Sequence, residues 1–113
     1  MIDKIILKKQ GILNEIEDYI KVLIKNKINP EKIILYGSYA KGKAHQYSDI
    51  DIAVISDQFG KDEIEELMNL ARLTIDVSDR IEAIPLTNEN LKLKYHSLIG
   101  EINKYGKMVY SLN

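Results

Sequence analysis

Two short runs of apolar, mostly β-branched residues most constrain what this chain can fold into. The first, Lys32-Ile33-Ile34-Leu35-Tyr36, ends at Gly37-Ser38, and the second, Ile50 to Ile55, follows after a polar loop. Runs of this length and composition, bounded by turn residues, are typical of buried strands. We therefore predict two strands whose connecting loop begins at a glycine and a serine.

Apolar residues at helical spacing predict helices before and after these strands. The first helix should cover about residues 11 to 27, and the last should carry apolar residues from 98 to 105 and end at Gly106. Between them, a second stripe is expected to face the core while the opposite side of its helix is solvated. That stripe consists of Ile64, Leu67, Met68, Ala71 and Ile75.

A third strand is predicted over residues 80 to 86, where Pro85 favours an edge position or an end outside the ladder. Short helices are expected to begin at Ser38 and, capped by Thr87, after the third strand. With a strand-like tail at residues 107 to 110, the approximate order is αβαβαβαα. The predicted fold class is α/β (α+β), a small mixed β-sheet backed by helices.

The composition favours one compact domain over residues 1 to 113, with 45% hydrophobic and 29% charged residues. The chain has no cysteine, which excludes disulfides and thiolate chemistry and suits the cytoplasm. A net charge of −1 argues against direct binding of nucleic acid. The first seven residues are too short an apolar run for a signal peptide, and no stretch is long enough to cross a membrane.

The polar loop and the second strand contain the residues that suggest chemistry. Gly37 has no Cβ where the backbone must approach a ligand, and Ser38 offers a hydroxyl and an N–H group to a phosphate. Side chains alternate along a strand, so Asp49 and Asp51 should share one face while Ile50 points to the core. Two adjacent carboxylates repel each other unless a cation lies between them, and Mg²⁺ prefers such ligands together with phosphate oxygens. These residues alone predict a metal and phosphate site.

This arrangement resembles a known signature. Gly37-Ser38, ten further residues and Asp49-Ile50-Asp51 are similar to the G-S-x10-D-x-D motif of the DNA polymerase β-like nucleotidyltransferase superfamily. The small size resembles the minimal nucleotidyltransferases of that superfamily, and the resemblance implies the nucleotidyltransferase fold. A third carboxylate on a neighbouring strand completes the family's site. Glu82 is the matching residue here, although many relatives carry aspartate.

The resemblance also implies roles for these residues. Asp49, Asp51 and Glu82 would be catalytic and hold two Mg²⁺ ions, while Gly37 and Ser38 would bind the phosphates of ATP. Lys41, where relatives often have a basic residue, would add a positive charge to the nucleotide site, although a solvated lysine is the more ordinary interpretation of a loop residue.

The function that the resemblance implies is AMP transfer to a partner protein. Minimal nucleotidyltransferases are typically paired with a HEPN-domain ribonuclease toxin and act as antitoxins by transferring AMP to a tyrosine of that toxin. Two other classes remain open from the sequence. One is a binding module that neutralises its partner by occlusion, with weak or no catalysis. The other is a stand-alone transferase that modifies a small hydroxylated substrate.

Overall fold

This computed structural model describes residues 11–112, which fold into four strands and three α-helices. The prediction for the first seven residues lies outside the described part. In chain order the elements are α1 (Ile12–Lys25), β1 (Lys32–Tyr36), β2 (Ile50–Ile55), α2 (Glu63–Arg72), β3 (Ile81–Leu86), a short 3₁₀ helix (Asn90–Lys92), α3 (Ser97–Tyr105) and β4 (Lys107–Ser111).

The strands form one mixed sheet in the order β3-β2-β1-β4. β1 pairs antiparallel with β2 and β4, whereas β2 and β3 are parallel. A parallel pair needs a long crossover, and α2 lies within that connection. The predicted mixed sheet backed by helices is confirmed. Pro85 lies in β3 at the edge of the sheet, where its missing N–H group leaves no central ladder bond unmade.

The two faces of the sheet are covered by different helices. α1 packs on one face through Ile16, Ile20 and Leu23, all fully buried, and its Tyr19 hydroxyl donates a 2.7 Å hydrogen bond to the carbonyl of Leu70 in α2. On the other face, Ile102 of α3 joins a smaller apolar cluster. Within residues 11–112, no helix has the length and apolar character needed to cross a bilayer.

The predicted order of elements is wrong at one place. Residues 37 to 42 form consecutive turns instead of a helix beginning at Ser38, because backbone bonds such as Lys43 N–H to Ser38 carbonyl close short loops. The predicted strand-like tail is confirmed as β4, which pairs with β1 and adds a strand to the predicted order. The observed order is therefore αββαβ, then the 3₁₀ helix, then αβ. Thr87 does bond the start of that short helix, accepting from the N–H of Asn90 at 3.1 Å.

The predicted orientation of α2 is also wrong. Its apolar stripe does not face the core, since Ile64 is 73% exposed, Met68 54% and Leu67 44%. The helix instead packs through Leu70, which is fully buried and lies about 120° around the helix axis from the centre of the stripe. Asp62 caps the helix by accepting from the N–H of Glu65, so the helix itself is well formed. Within residues 11–112, the apolar side of α2 is therefore exposed to solvent.

Candidate functional site

Three side chains form a row across the sheet on the face that packs against α3. Tyr36 of β1 is paired with Asp51 of β2, which in turn is paired with Glu82 of β3. Directly opposed residues on adjacent strands share a face and lie about 5 Å apart at their Cβ atoms. The register of two strand pairs thus brings the predicted third carboxylate, Glu82, beside Asp51.

Asp49 joins this row from the end of the loop, immediately before β2. Its negative charge is the main reason that the pKa of Glu82 is raised, with burial, Asp51 and a hydrogen-bond contact with Asp49 adding to the effect. The pKa of Asp51 is raised first by burial and then by the charges of Asp49 and Glu101. The structure therefore brings the three predicted carboxylates together, and their negative charges make the charged forms of Asp51 and Glu82 less favourable.

The negative charges of the site also act on Tyr36. Burial, and then the charges of Asp51, Glu82 and Glu101, raise its pKa to about 12. A tyrosine in this environment keeps its proton at neutral pH, so Tyr36 can offer a hydrogen-bond donor at the floor of the site.

Gly37 lies directly against Asp51 at the end of β1. Its φ is +72°, and a Cβ atom added there would lie 2.3 Å from Oδ2 of Asp51. The residue is therefore required both for the left-handed backbone and for space beside the carboxylate. Ser38 follows Gly37 and is exposed at the start of the turns. It lies at the end of the sheet where β2 begins, because β1 and β2 are antiparallel.

Lys41 is held by α3. Its Nζ atom lies 3.5 Å from the carboxylate of Glu101 and 5.2 Å from the ring centroid of Tyr105. The turn that contains Lys41 is tied to Gly37 by a backbone bond of 3.1 Å. This basic residue thus stands between the motif loop and α3, with Glu101 as a partner that a phosphate group would have to replace.

Arg80, just before β3, ties the motif loop to the rest of the fold. Its guanidinium donates to the Tyr39 hydroxyl at 3.0 Å and to the Gln46 carbonyl at 3.2 Å, and it forms a close ion pair with Glu15 of α1. Its own carbonyl accepts from the N–H of Ile50 at 2.8 Å. Arg80 therefore connects α1 and both halves of the loop through its side chain, and the start of β2 through its backbone.

Removing this connection by Arg80→Met should cost about 1.5–3 kcal/mol in the free energy of unfolding, because charged hydrogen bonds are lost and Glu15 is left without its partner.

The pKa of Glu15 is lowered: burial opposes this, but the hydrogen bonds from Arg80 and Ser78 outweigh it. The stability that depends on the charged Glu15 is complete above the unfolded pKa and is lost as the pH falls through the lowered folded value. The difference between wild type and Glu15→Gln, measured by urea denaturation, should therefore shrink in acid.

A matched control is Glu65→Gln. Glu65 and Arg72 lie 3.8 Å apart but are mostly exposed, so their pairing contributes little. Equal effects of the two glutamine substitutions at every pH would contradict the role given to Glu15 and Arg80.

The three carboxylates offer the kind of ligand atom that Mg²⁺ prefers. Asp49, Asp51 and Glu82 supply only oxygen ligands, and their mutual repulsion would be relieved by a cation. Over residues 11–112, no three acidic, histidine or cysteine side chains lie in an arrangement that could hold a metal ion. Mg²⁺ commonly uses one or two carboxylates, and waters and substrate phosphates complete its coordination. The histidines have other roles, since Nδ1 of His45 accepts from the N–H of Tyr47 and Nδ1 of His96 caps α3.

Comparison with known proteins assigns this geometry to a family. The family model for "Polymerase beta, Nucleotidyltransferase" matches residues 17–113. The chain belongs to this nucleotidyltransferase family. The predicted resemblance and the assignment as an enzyme of the nucleotidyltransferase class are thereby confirmed. No curated protein matches the chain significantly.

Several solved structures resemble this nucleotidyltransferase. One, a toxin–antitoxin with AMP-PNP, is 30% identical with a TM-score of 0.61, covering 87% of this chain and 73% of the other. A mutant MntA–HpeT toxin–antitoxin is 25% identical with a TM-score of 0.58 over the same shares. A tri-AMPylated Shewanella oneidensis HEPN toxin in complex with an MNT antitoxin is matched at 25% identity and a TM-score of 0.54, covering 88% of this chain and 71% of the other.

Several residues of the site were not anticipated from the sequence. Glu101 raises the pKa of Asp51, Tyr36 is paired with Asp51 across the sheet, and Arg80 with Glu15 positions the loop. Neither pair lies in the motif. The alternating pattern of β1 could have placed Tyr36 on the face opposite Ile33 and Leu35, but nothing in the sequence indicates that α3 brings Glu101 to the carboxylates.

Proposed function

We propose that this nucleotidyltransferase transfers AMP from ATP to a tyrosine hydroxyl of a HEPN-domain toxin and so acts as its antitoxin. The observation that carries the proposal is the convergence of Asp49, Asp51 and Glu82 beside the turn at Gly37. The similar solved structures support the choice of partner, because one contains an AMPylated HEPN toxin and another contains a nucleotide analogue. ATP and Mg²⁺ are abundant in the cytoplasm, where we place the reaction.

In the proposed reaction, the tyrosine oxygen attacks the α-phosphorus of ATP. The bond from that phosphorus to the bridging oxygen breaks, and pyrophosphate leaves with its negative charge. Mg²⁺ bound at the site would offset the charge of the triphosphate and stabilise the leaving group. Asp49 and Asp51 would hold the ions, Glu82 would complete the set and take the proton of the acceptor, and no covalent enzyme intermediate is needed.

The turn after β1 would bind the β and γ phosphates. Ser38 is exposed and Gly37 is half-buried, and in the proposed complex their N–H groups and the Ser38 hydroxyl would donate to phosphate oxygens. Lys41 would exchange Glu101 for a phosphate, and because Glu101 also raises the pKa of Asp51, this exchange links nucleotide binding to the carboxylates.

A tyrosine acceptor must be activated, since its hydroxyl has a pKa of about 10 in water. A carboxylate that accepts the proton during attack meets this need. The added AMP would bring negative charge and bulk to the toxin, and both oppose the binding of RNA.

The proposal is tested by mixing the purified protein with Mg²⁺, ATP and the product of the neighbouring gene as the candidate HEPN-domain partner, then measuring the intact mass of that product. We expect a gain of one or more AMP groups, located on tyrosine by peptide fragmentation, together with loss of ribonuclease activity. An inhibited but unmodified toxin would instead support occlusion. Transfer only to small hydroxylated compounds would support a stand-alone enzyme.

A further inference from the structure

Arg80 lies outside the motif, yet its side chain contacts the motif loop, residues 37–49, near both ends. Its guanidinium donates a 3.0 Å hydrogen bond to the Tyr39 hydroxyl, in the turns that follow β1. It donates a second one, of 3.2 Å, to the Gln46 carbonyl, shortly before Asp49. A guanidinium is planar and holds its donors in a fixed relative geometry. One rigid group therefore sets how far the turn after β1 lies from the carboxylate end of the loop.

The guanidinium is itself held in place by α1. It forms a close ion pair with Glu15, and the Ser78 hydroxyl donates to the same carboxylate. The side chains of Arg80 and Glu15 are only 26% and 25% exposed, so solvent and salt screen this pair less than a surface pair. Ile16, the next residue of α1, is fully buried in the core. The loop is thus connected through Arg80 to a helix that cannot shift without disturbing the core.

Tyr39 transmits this connection to the phosphate-binding end of the loop. Its ring packs against the main core cluster, while its hydroxyl accepts from the guanidinium. Backbone bonds close the turns around it: the Lys41 N–H donates to the Gly37 carbonyl at 3.1 Å, and the Lys43 N–H donates to the Ser38 carbonyl at 2.9 Å. A shift of Tyr39 would therefore move the turn that carries the N–H groups proposed to bind phosphate.

The backbone of Arg80 makes a separate contribution. Its carbonyl accepts from the Ile50 N–H at 2.8 Å, where β2 begins between Asp49 and Asp51. This bond continues the parallel pairing of β2 with β3 and needs no particular side chain at position 80. A substitution of Arg80 should therefore leave the register of the carboxylates intact and loosen the loop.

We propose that Arg80 is a positioning residue of the nucleotide site. Its side chain holds the motif loop in the conformation in which the turn after β1 and the carboxylates of β2 contact one nucleoside triphosphate together. Without that side chain, binding would have to order the loop, and the ordering would oppose affinity. The inference rests on the proposed function in taking a nucleoside triphosphate as the ligand. It adds a residue outside the motif that determines how tightly the nucleotide binds.

The test compares four variants that separate geometry from charge. Arg80→Met removes both contacts with the loop, and Arg80→Lys keeps the charge without the planar group. Tyr39→Phe removes only the hydroxyl that accepts from Arg80, with no change of charge. Arg72→Met is the matched control, because Arg72 is mostly exposed and lies 3.8 Å from Glu65, outside the site.

The ligand in this test is the α,β-methylene analogue of ATP with Mg²⁺, whose α-phosphorus cannot be transferred. Its dissociation constant is measured by calorimetry, at a temperature where the melting curve shows each variant to be folded. We expect an increase of about tenfold or more for Arg80→Met and about threefold for Tyr39→Phe, because each loses hydrogen bonds to a charged group. Arg80→Lys should recover only part of the loss, and Arg72→Met should match the wild type.

Two further measurements distinguish positioning from a loss of stability. In the Arg80→Met background, Tyr39→Phe should have little further effect on the dissociation constant, because the hydroxyl acts through Arg80. In the free protein, Arg80→Met should speed hydrogen exchange at the amides of Lys43 and Ser48, which donate to carbonyls within the loop, and leave exchange in β2 unchanged.

Unchanged affinity in both Arg80→Met and Tyr39→Phe would overturn the proposal and leave Arg80 with a role in stability alone. Complete recovery in Arg80→Lys would also overturn it, because charge would then explain the effect. A wild type that binds the analogue but transfers no AMP would contradict the proposed function and leave the role of Arg80 to the affinities of the variants. A wild type that does not bind the analogue would contradict both.

Discussion

Asp51→Asn is expected to lower kcat for nucleotidyl transfer by about a thousandfold or more while leaving the fold intact. Asp51 lies at the centre of the row of side chains and next to Gly37, so losing its charge would remove both the proposed metal ligand and a fixed negative group. Loss of such a contact costs several kcal/mol in the activation free energy, and about 1.4 kcal/mol corresponds to a factor of ten.

The same substitution should not destabilise the protein. Burial and the charges of Asp49 and Glu101 raise the pKa of Asp51, so its charged form is less favourable in the folded chain than in the unfolded one. In chelator-treated samples, the free energy of unfolding of Asp51→Asn should equal or exceed that of the wild type, and the gain should grow as the pH rises above the unfolded pKa.

Asp76→Asn provides the control for charge alone, because Asp76 is exposed after α2 and outside the site. It should leave both kcat and stability near wild type. Full activity in Asp51→Asn, or unfolding of that variant, would be incompatible with the role given to Asp51.

Gly37→Ala is expected to reduce both stability and activity. A methyl group there meets Oδ2 of Asp51 at 2.3 Å, and the residue has a φ of +72° that alanine adopts poorly. The left-handed backbone and the overpacking together should cost about 2–4 kcal/mol in the free energy of unfolding. The added methyl group should also displace the Asp51 carboxylate from its position in the site. This displacement should lower kcat about a hundredfold, measured by pyrophosphate release.

The chain contains a closely matched control in Gly42. It has the same φ of +72°, but nothing lies within 4 Å of the position of an added Cβ. Gly42→Ala should therefore cost only the backbone contribution, about 1–2 kcal/mol. In an Asp51→Ala background, the stability cost of Gly37→Ala should fall towards that of Gly42→Ala, because the clashing oxygen is gone. Equal costs of the two alanine substitutions in the wild-type background would argue against the contact with Asp51.

The strands were predictable because their sequences carry a local signal. β1 and β2 are short, apolar and β-branched, and the proline in β3 indicated an edge strand, where the structure places it. The orientation of α2 was not predictable from its own residues. Its stripe has the spacing of a core-facing helix, yet the side that packs is the one carrying Leu70, because the long crossover places α2 beside β3. A helix whose apolar side binds another protein has the same sequence pattern as one that packs in its own core.

The residues of the site also fall into two groups, those that the sequence indicates and those that it does not. Asp49, Asp51 and Gly37 could be named from the sequence because strand alternation and turn geometry act over a few residues. Glu82 required the family resemblance, since its place beside Asp51 depends on the parallel register of β2 and β3. Arg80 and Glu101 act through contacts between distant segments, and no local pattern marks them. The assignment of metal and nucleotide roles to individual residues stays a prediction, as does the extent of the domain over residues 1 to 113.

The most direct test of the central claim is to follow the phosphates of ATP separately. The protein, Mg²⁺ and the product of the neighbouring gene, as the candidate HEPN-domain partner, are incubated with ATP labelled at either the α or the γ phosphorus, alongside Asp51→Asn. We predict that only the α label becomes bound to the partner, that the γ label is released as pyrophosphate, and that the variant transfers neither. Transfer of the γ label to the partner would contradict nucleotidyl transfer, and undiminished α-label transfer by Asp51→Asn would contradict the site.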